Sequence, residues 1–353
     1  MERREFIKTA ALGVAATTLV SVARAQIIEQ TSQGGAVKPA GPVTSKLPEH
    51  PDMKYRPLGK TGERVSLIGL GGFHLAKPGG MSADEAVKVA HAAIDAGITF
   101  CDNCWDYNGG ESEVRLGRAL GQGGYRDKVF LMTKIDGRSA QGAMRQIDES
   151  LKRLQTDHLD LLQFHEIIRM DDPEKVFAAG GALEAVLKAR EQGKLRYIGF
   201  TGHKSPAIHK HMFEVADQHK FHFDTVQMPL NVMDAHYDSF EHGVLPIAIE
   251  HGAGVMGMKA FGDPFIVDSK VATPIEMLQY PMSLPISIQI TGIDSMDILK
   301  QALEAVRTFK PMTQEQRKTL LAKSAIVAKT GLTERYKVSN HFDRTIQNPQ
   351  WLG

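Results

Sequence analysis

Cysteine is nearly absent: Cys101 and Cys104 are the two in 353 residues, too few for an all-cysteine zinc or iron–sulfur site or a disulfide-dense scaffold. A charge excess of either sign is also missing. Forty-two basic residues stand against forty-one acidic, a formal net charge of +1. No broad field therefore draws nucleic acid or anionic lipid, and the expected partners are small molecules or proteins. The apolar run from Thr9 to Val22 is shorter than the roughly 20 strongly apolar residues of a membrane-spanning helix, and threonine, serine and glycine dilute it. No strand-like run leads into a G-x-G-x-x-G turn, which argues against a separate dinucleotide-binding domain. What is present is a globular composition, 42% hydrophobic and 24% charged, long enough for one large α/β barrel or two ordinary domains.

The first 25 residues read as an export signal. Arg3-Arg4-Glu5-Phe6-Ile7-Lys8 precedes the apolar run, and Ala23-Arg24-Ala25 is an A-x-A cleavage site. The paired arginines with Phe6 and Lys8 resemble a twin-arginine signal, the route that carries folded proteins across a bacterial inner membrane. This implies a periplasmic protein with no stable membrane anchor after cleavage, or a cytoplasmic one if the signal is not used. Removing residues 1–25 takes away four basic and two acidic residues, so the charge stays close to neutral. Gln26 to Lys54, rich in glycine, proline, serine and threonine, reads as a linker. The folded domain is expected over Tyr55 to Gly353.

From Val65 onward, short apolar runs alternate with amphipathic helical stretches, the pattern of βα units with parallel strands. Eight strands are expected: Val65 to Leu70, Thr99 to Asp102, Val129 to Lys134, Leu159 to His165, Tyr197 to Thr201, Thr225 to Met228, Val255 to Lys259 and Ile286 to Ile290. Eight such units close a (β/α)8 TIM barrel. Expected helices include Ser82 to Ala96, Gln141 to Leu154 and an additional one at Thr313 to Ser324. Arg56 to Arg64 reads as a small hairpin able to plug the barrel bottom.

Reactive groups of such barrels collect at the C-terminal ends of the strands. Three consecutive strands end in Asp102, Lys134 and His165, and Tyr107 follows Asp102 by five residues. In order and spacing this set resembles the Asp, Tyr, Lys and His active site of the aldo/keto reductase family. Gly69-Leu70-Gly71, Ile98-Thr99-Phe100 into Asp102, Glu111-Ser112-Glu113 with Leu116-Gly117, Asp160-Leu161-Leu162 before His165, and Gln227 extend the resemblance over roughly residues 55 to 310. It implies an oxidoreductase moving a hydride between NADP or NAD and an aldehyde or ketone, or in reverse from an alcohol. Tyr107 is then the general acid and base, Lys134 the cation that lowers its pKa, Asp102 the counter-charge for Lys134, and His165 the hydrogen-bond partner of the carbonyl oxygen.

The cofactor positions implied by the same resemblance are Gly71, Asp102, Thr201, Gln227, Met258, Lys259, Gly292, Ser295 and Lys300. Here the chain departs from the family pattern. A Ser-Asn pair that binds the nicotinamide amide is replaced by Thr201-Gly202-His203, and the aromatic residue that stacks on the ring by Met258. Asp294 stands where NADP-preferring members carry a basic residue, which disfavours a 2′-phosphate, while Lys300 partly reverses this. NAD and NADP both remain open.

Alternation along the second strand puts Cys101 on the face opposite Asp102, so two buried free thiols are expected rather than a disulfide. His203, His209, His211, His219 and His222 do not match a compact zinc spacing, and no metal is expected. The tail through Phe342, Trp351 and Leu352 is expected to dock on the barrel. The whole reads as a monomeric or weakly oligomeric carbonyl reductase, with two rivals. One is a nucleotide-binding or regulatory barrel without turnover, the other an enzyme exported with a preloaded, tightly held cofactor.

Overall fold

Strands covered on both faces bury both side-chain parities, and that is what these segments do: all six residues of Phe130–Ile135 and of Leu159–Phe164 are buried. The computed structural model describes residues 47–262 and 264–353. The expected signal and most of the linker lie outside the described residues. A hairpin of β1 (Tyr55–Pro57) and β2 (Arg64–Ser66) comes first. Eight parallel strands follow: β3 (Ile68–Gly71), β4 (Phe100–Asp102), β5 (Phe130–Ile135), β6 (Leu159–Phe164), β7 (Leu195–Thr201), β8 (Thr225–Pro229), β9 (Gly254–Met258) and β10 (Ile288–Gly292). They close in sequence order, β10 pairing back onto β3. This is the expected (β/α)8 barrel.

The first expected strand, Val65 to Leu70, is divided. Arg64–Ser66 pairs antiparallel with Tyr55–Pro57, and the barrel strand begins at Ile68. Ser66 makes the break, because its hydroxyl donates to the Ile68 carbonyl (2.7 Å) and its N–H to Thr99 Oγ1 (3.0 Å). The packed body also reaches further toward the N-terminus than Tyr55. Met53 is buried, and the Leu67 N–H donates to the Lys54 carbonyl (2.7 Å).

Helices cover the outside and start on side-chain caps. Ser82 caps Ala83–Asp95 in a reciprocal pair with Glu85, Ser139 caps Ala140–Leu154, and Thr313 caps Gln314–Ala328. The last is a turn longer than expected. None of the described helices is long and apolar enough to cross a membrane. Outward strand residues such as Leu70, Cys101, Leu131, Leu162, Phe200 and Val226 form one core with the helices.

Inward residues form a second core. Phe100, Phe130, Met132, Leu161, Met256, Ile288 and Ile290 fill the lower barrel, closed from below by Leu58 and Val65 of the hairpin. The plug seats tightly. Gly59 adopts φ +55°, and a Cβ there would lie 2.3 Å from the Gly254 nitrogen. The hairpin thus does what its glycines suggested.

Leu58 is fully buried, so Leu58→Ala is expected to lower stability by about 2–5 kcal/mol through the cavity it leaves. Urea denaturation of the full chain measures this, and a midpoint equal to wild type would show that the hairpin is not part of the core.

Candidate active site

Asp102, Lys134 and His165 stand on the inward parity of β4, β5 and the end of β6, above the apolar filling. Tyr107 reaches the same place from the loop after β4. The Lys134 ammonium donates to Asp102 Oδ1 (2.5 Å), the Asn103 carbonyl (2.8 Å) and the Tyr107 hydroxyl (3.1 Å). All three of its protons are therefore placed. Asp102 Oδ2 accepts from Gln227 Nε2 (2.7 Å), and the Tyr107 ring meets Phe73 and His165 edge-on.

Burial first, then the Asp102 charge, hold the Tyr107 hydroxyl well above its usual pKa, so it stands protonated beside the Lys134 ammonium. Tyr107 stands as a neutral donor.

His165 is held from behind. Its Nδ1 lies 2.8 Å from Asp136 Oδ1, 3.2 Å from Cys104 Sγ and 3.6 Å from Asp106 Oδ1. Arg138 ties the neighbouring backbones together, donating to the carbonyls of Asp136 (2.7 Å), His165 (2.7 Å) and Glu166 (2.9 Å). Burial pushes Asp136 up to about 7, aided by the Glu166 charge, and Asp106 up to about 6, aided by Asp136. The same burial lowers His165 and holds the Cys104 thiol protonated. Arg344, from the tail, pairs with Asp106 (3.0 Å).

Above these residues opens a cavity of about 510 Å³ lined by Asp102, Tyr107, Lys134 and His165 together with Gly71, Thr201, Gly202, Gln227, Met258, Lys259 and Gly292. Two buried acceptors on its wall, Thr201 Oγ1 and Gln227 Oε1, have no hydrogen-bond partner, an arrangement that fits a bound primary amide. Gly292 packs so closely under His74 that a Cβ would meet its ring at 2.1 Å. The Lys259 ammonium lies over the Tyr336 and Phe342 rings (5.1 and 5.3 Å). Ser295 and Lys300 do not line the cavity. Ser295 caps the helix Met296–Arg307, accepting from the Ile298 N–H (3.2 Å). Lys300 lies off that helix's buried stripe of Leu299, Ala302, Ala305 and Val306 and pairs with Asp297 on the surface.

Asp136, Asp106, Glu166 and Arg344 were not picked out from the sequence. For Asp136 a signal existed, since it follows Lys134 by two residues and so continues the inward parity. Both cysteines are free and buried as expected, but Cys104 also sits against His165. Four of the five histidines noted in the sequence have separate neighbours. His203 is held by Asp343 (2.9 Å), His209 packs on Phe200 and Phe240, His211 meets Glu174, and His219 lies on Phe177. The tail docks: Trp351 meets Trp105 edge-on at 5.6 Å, the Arg138 N–H donates to the Leu352 carbonyl (2.8 Å), and Phe342 lines the cavity.

Residues 67–322 match the family described as "Aldo/keto reductase family". The chain is similar to the Bacillus subtilis proteins "Aldo-keto reductase YhdN", 31% identical over 208 residues, and "Uncharacterized oxidoreductase YrpG", 32% identical over 225 residues. These alignments cover 56% and 58% of this chain, and 58% and 65% of the two relatives. The chain thus spans about three fifths of each. Among solved structures, "aldo-keto reductase AKR11C1 from Bacillus halodurans (holo form)" superposes with a TM-score of 0.64 at 23% identity, covering 77% of this chain and 96% of that one, a likeness of fold.

Asp102→Asn leaves the Lys134 ammonium buried without a counter-charge, and a loss of about 3–5 kcal/mol is expected. The double variant Asp102→Leu with Lys134→Met is expected to recover most of it. Denaturation curves of the three proteins check this, and a single variant as stable as wild type would contradict it.

Proposed function

The chain belongs to the aldo/keto reductase family, and on that premise we propose that it transfers a hydride between a nicotinamide nucleotide and the carbonyl carbon of an aldehyde or ketone, or in reverse from the alcohol. The observation that carries this reading is the Tyr107 hydroxyl, held 3.1 Å from a fully committed buried ammonium at the floor of the cavity.

When bound, the nicotinamide supplies or accepts the hydride. Thr201 and Gln227 would hold its carboxamide. The Gln227 amide nitrogen is already given to Asp102, so Oε1 is the atom left to accept, and the Thr201 hydroxyl donates. Met258 would pack on the ring face, and Gly71, Lys259 and Gly292 on the rest of the nucleotide. As negative charge develops on the substrate oxygen, Tyr107 delivers its proton and Lys134 stabilises the phenolate left behind. Asp102 fixes Lys134, and His165 presents a second donor to the same oxygen. In the alcohol direction Tyr107 takes the proton back. Between the two nucleotides, Asp294 disfavours a 2′-phosphate while the exposed Lys300, only weakly held by Asp297, favours one, so the reading covers both NAD and NADP.

We further propose export of the folded chain by the twin-arginine route, as a monomer or weak oligomer. The residues that support export are Arg3, Arg4, Phe6, Lys8 and the Ala23-Arg24-Ala25 triplet. A cofactor bound before export would supply nucleotide where little is free.

Tyr107→Phe is expected to cut carbonyl reduction by about 10²–10⁴ while nucleotide binding, measured by calorimetric titration, is retained. Wild-type protein that binds nucleotide yet turns over neither carbonyls nor alcohols would instead support the non-turnover barrel. For export, Arg3→Lys with Arg4→Lys is expected to leave the chain in the cytoplasmic fraction of a bacterial host. Unchanged delivery to the periplasm would remove the twin-arginine route.

A further inference from the structure

His165 faces charge on each packed side. The Cys104 thiol, Asp106 and Tyr107 come from the loop after β4, and Lys134, Asp136 and Arg138 from the end of β5. Glu166 follows in the chain, and Arg344 arrives from the tail through Asp106. Most of these charges are already matched. Lys134 has Asp102 (2.5 Å), Arg138 has Asp172 (3.1 Å), Arg344 has Asp106 (3.0 Å), and Glu166 accepts the N–H groups of Arg344 (2.9 Å) and Thr345 (2.7 Å). Among the described residues Asp136 makes no ion pair besides the one with His165, and its Oδ2 has no hydrogen-bond partner. Its backbone is fixed, since the N–H groups of Asp136 and Gly137 both donate to Gln146 Oε1 (2.8 and 2.7 Å).

A neutral imidazole carries one N–H. If Nδ1–H is donated to the Asp136 carboxylate, Nε2, the nitrogen left for the cavity, has a lone pair and can only accept. One further proton on the pair puts a hydrogen on Nε2 wherever it formally resides. On the ring it makes an imidazolium. On Asp136 it becomes an O–H that donates to Nδ1 and leaves the ring as the Nε2–H tautomer.

We propose that Asp136 and His165 form a two-state proton holder at the cavity edge. With two protons between them Nε2 donates to a carbonyl oxygen, and with one proton it accepts from an alcohol. Asp136 is then a positioning residue that gives the two reaction directions opposite pH dependence. This rests on the hydride-transfer reading above: the proton added to the product still comes from Tyr107, and His165 lends a hydrogen bond. The burial that pushes Asp136 up to about 7 places the change near neutrality. As pH rises through that value the pair passes from two protons to one, so reduction declines and oxidation gains.

The tautomer is read directly by ¹⁵N NMR of the full chain labelled at histidine, with His165 assigned by the signals lost in His165→Gln. Above neutral pH, wild type is expected to show a protonated Nδ1 and a bare Nε2. Asp136→Asn, whose amide N–H donates to Nδ1, is expected to show the reverse. A wild-type ring with Nε2–H at high pH overturns the proposal. This readout needs no turnover, so it is separate from whether the chain reduces carbonyls, and the wild-type result decides even if the variant does not fold. In turnover, the ratio of reduction at about pH 8.5 to that at about pH 6 is expected to rise about tenfold in Asp136→Asn over wild type. An equal proportional loss at every pH would show a merely structural role and sink the idea.

Discussion

An ammonium enclosed in a barrel has lost its water, and the loss is tolerable only if every one of its protons finds an acceptor and its charge an opposite one. Lys134 meets both conditions through Asp102, the Asn103 carbonyl and Tyr107. Much of the mouth is arranged by that requirement. Asp102 has one oxygen on Lys134 and the other on Gln227, so the Gln227 amide faces the cavity with its acceptor side. Tyr107 keeps its proton because burial, and then the Asp102 charge, disfavour the phenolate.

The barrel's two-residue period joins this chemistry to the packing below it. On β4 the inward residues run from Phe100 to Asp102, on β5 from Phe130 and Met132 to Lys134, and on β6 from Leu161 and Gln163 to His165. Filling and reacting groups are successive steps on one face. A hairpin seals the apolar end with Leu58 and Val65, so the interior opens toward the polar end, where hydrogen-bonding groups can be left for a ligand.

The tail finishes the site. Asp343 receives His203 (2.9 Å) and Lys204 (2.7 Å), Glu166 accepts the N–H groups of Arg344 and Thr345, and Gln146 reaches the Trp351 carbonyl (2.9 Å). This covers the side of the barrel mouth where His165, Asp136 and Asp106 meet. Water is excluded there, which raises two carboxylates toward neutral pH and makes the proton count of that cluster responsive.

By itself the sequence determined the eightfold alternation, the flanking helices, the plugging hairpin, the buried thiols and the convergence of Asp102, Tyr107, Lys134 and His165. Each of these is written in local periodicity or in residue order along successive strands. The split at Ser66 was not legible, since Val65 to Leu70 is apolar throughout apart from Ser66 and glycine, and two strands of different sheets share one run. Tertiary structure alone decided which charges meet. Lys300 lies off the buried stripe of its helix and pairs with Asp297. Asp136 fell behind His165, and Arg344 came from 238 residues away to Asp106. Period and spacing state which face a side chain takes. Desolvation and Coulomb energy depend on distances across the closed barrel, and those exist only once it has closed.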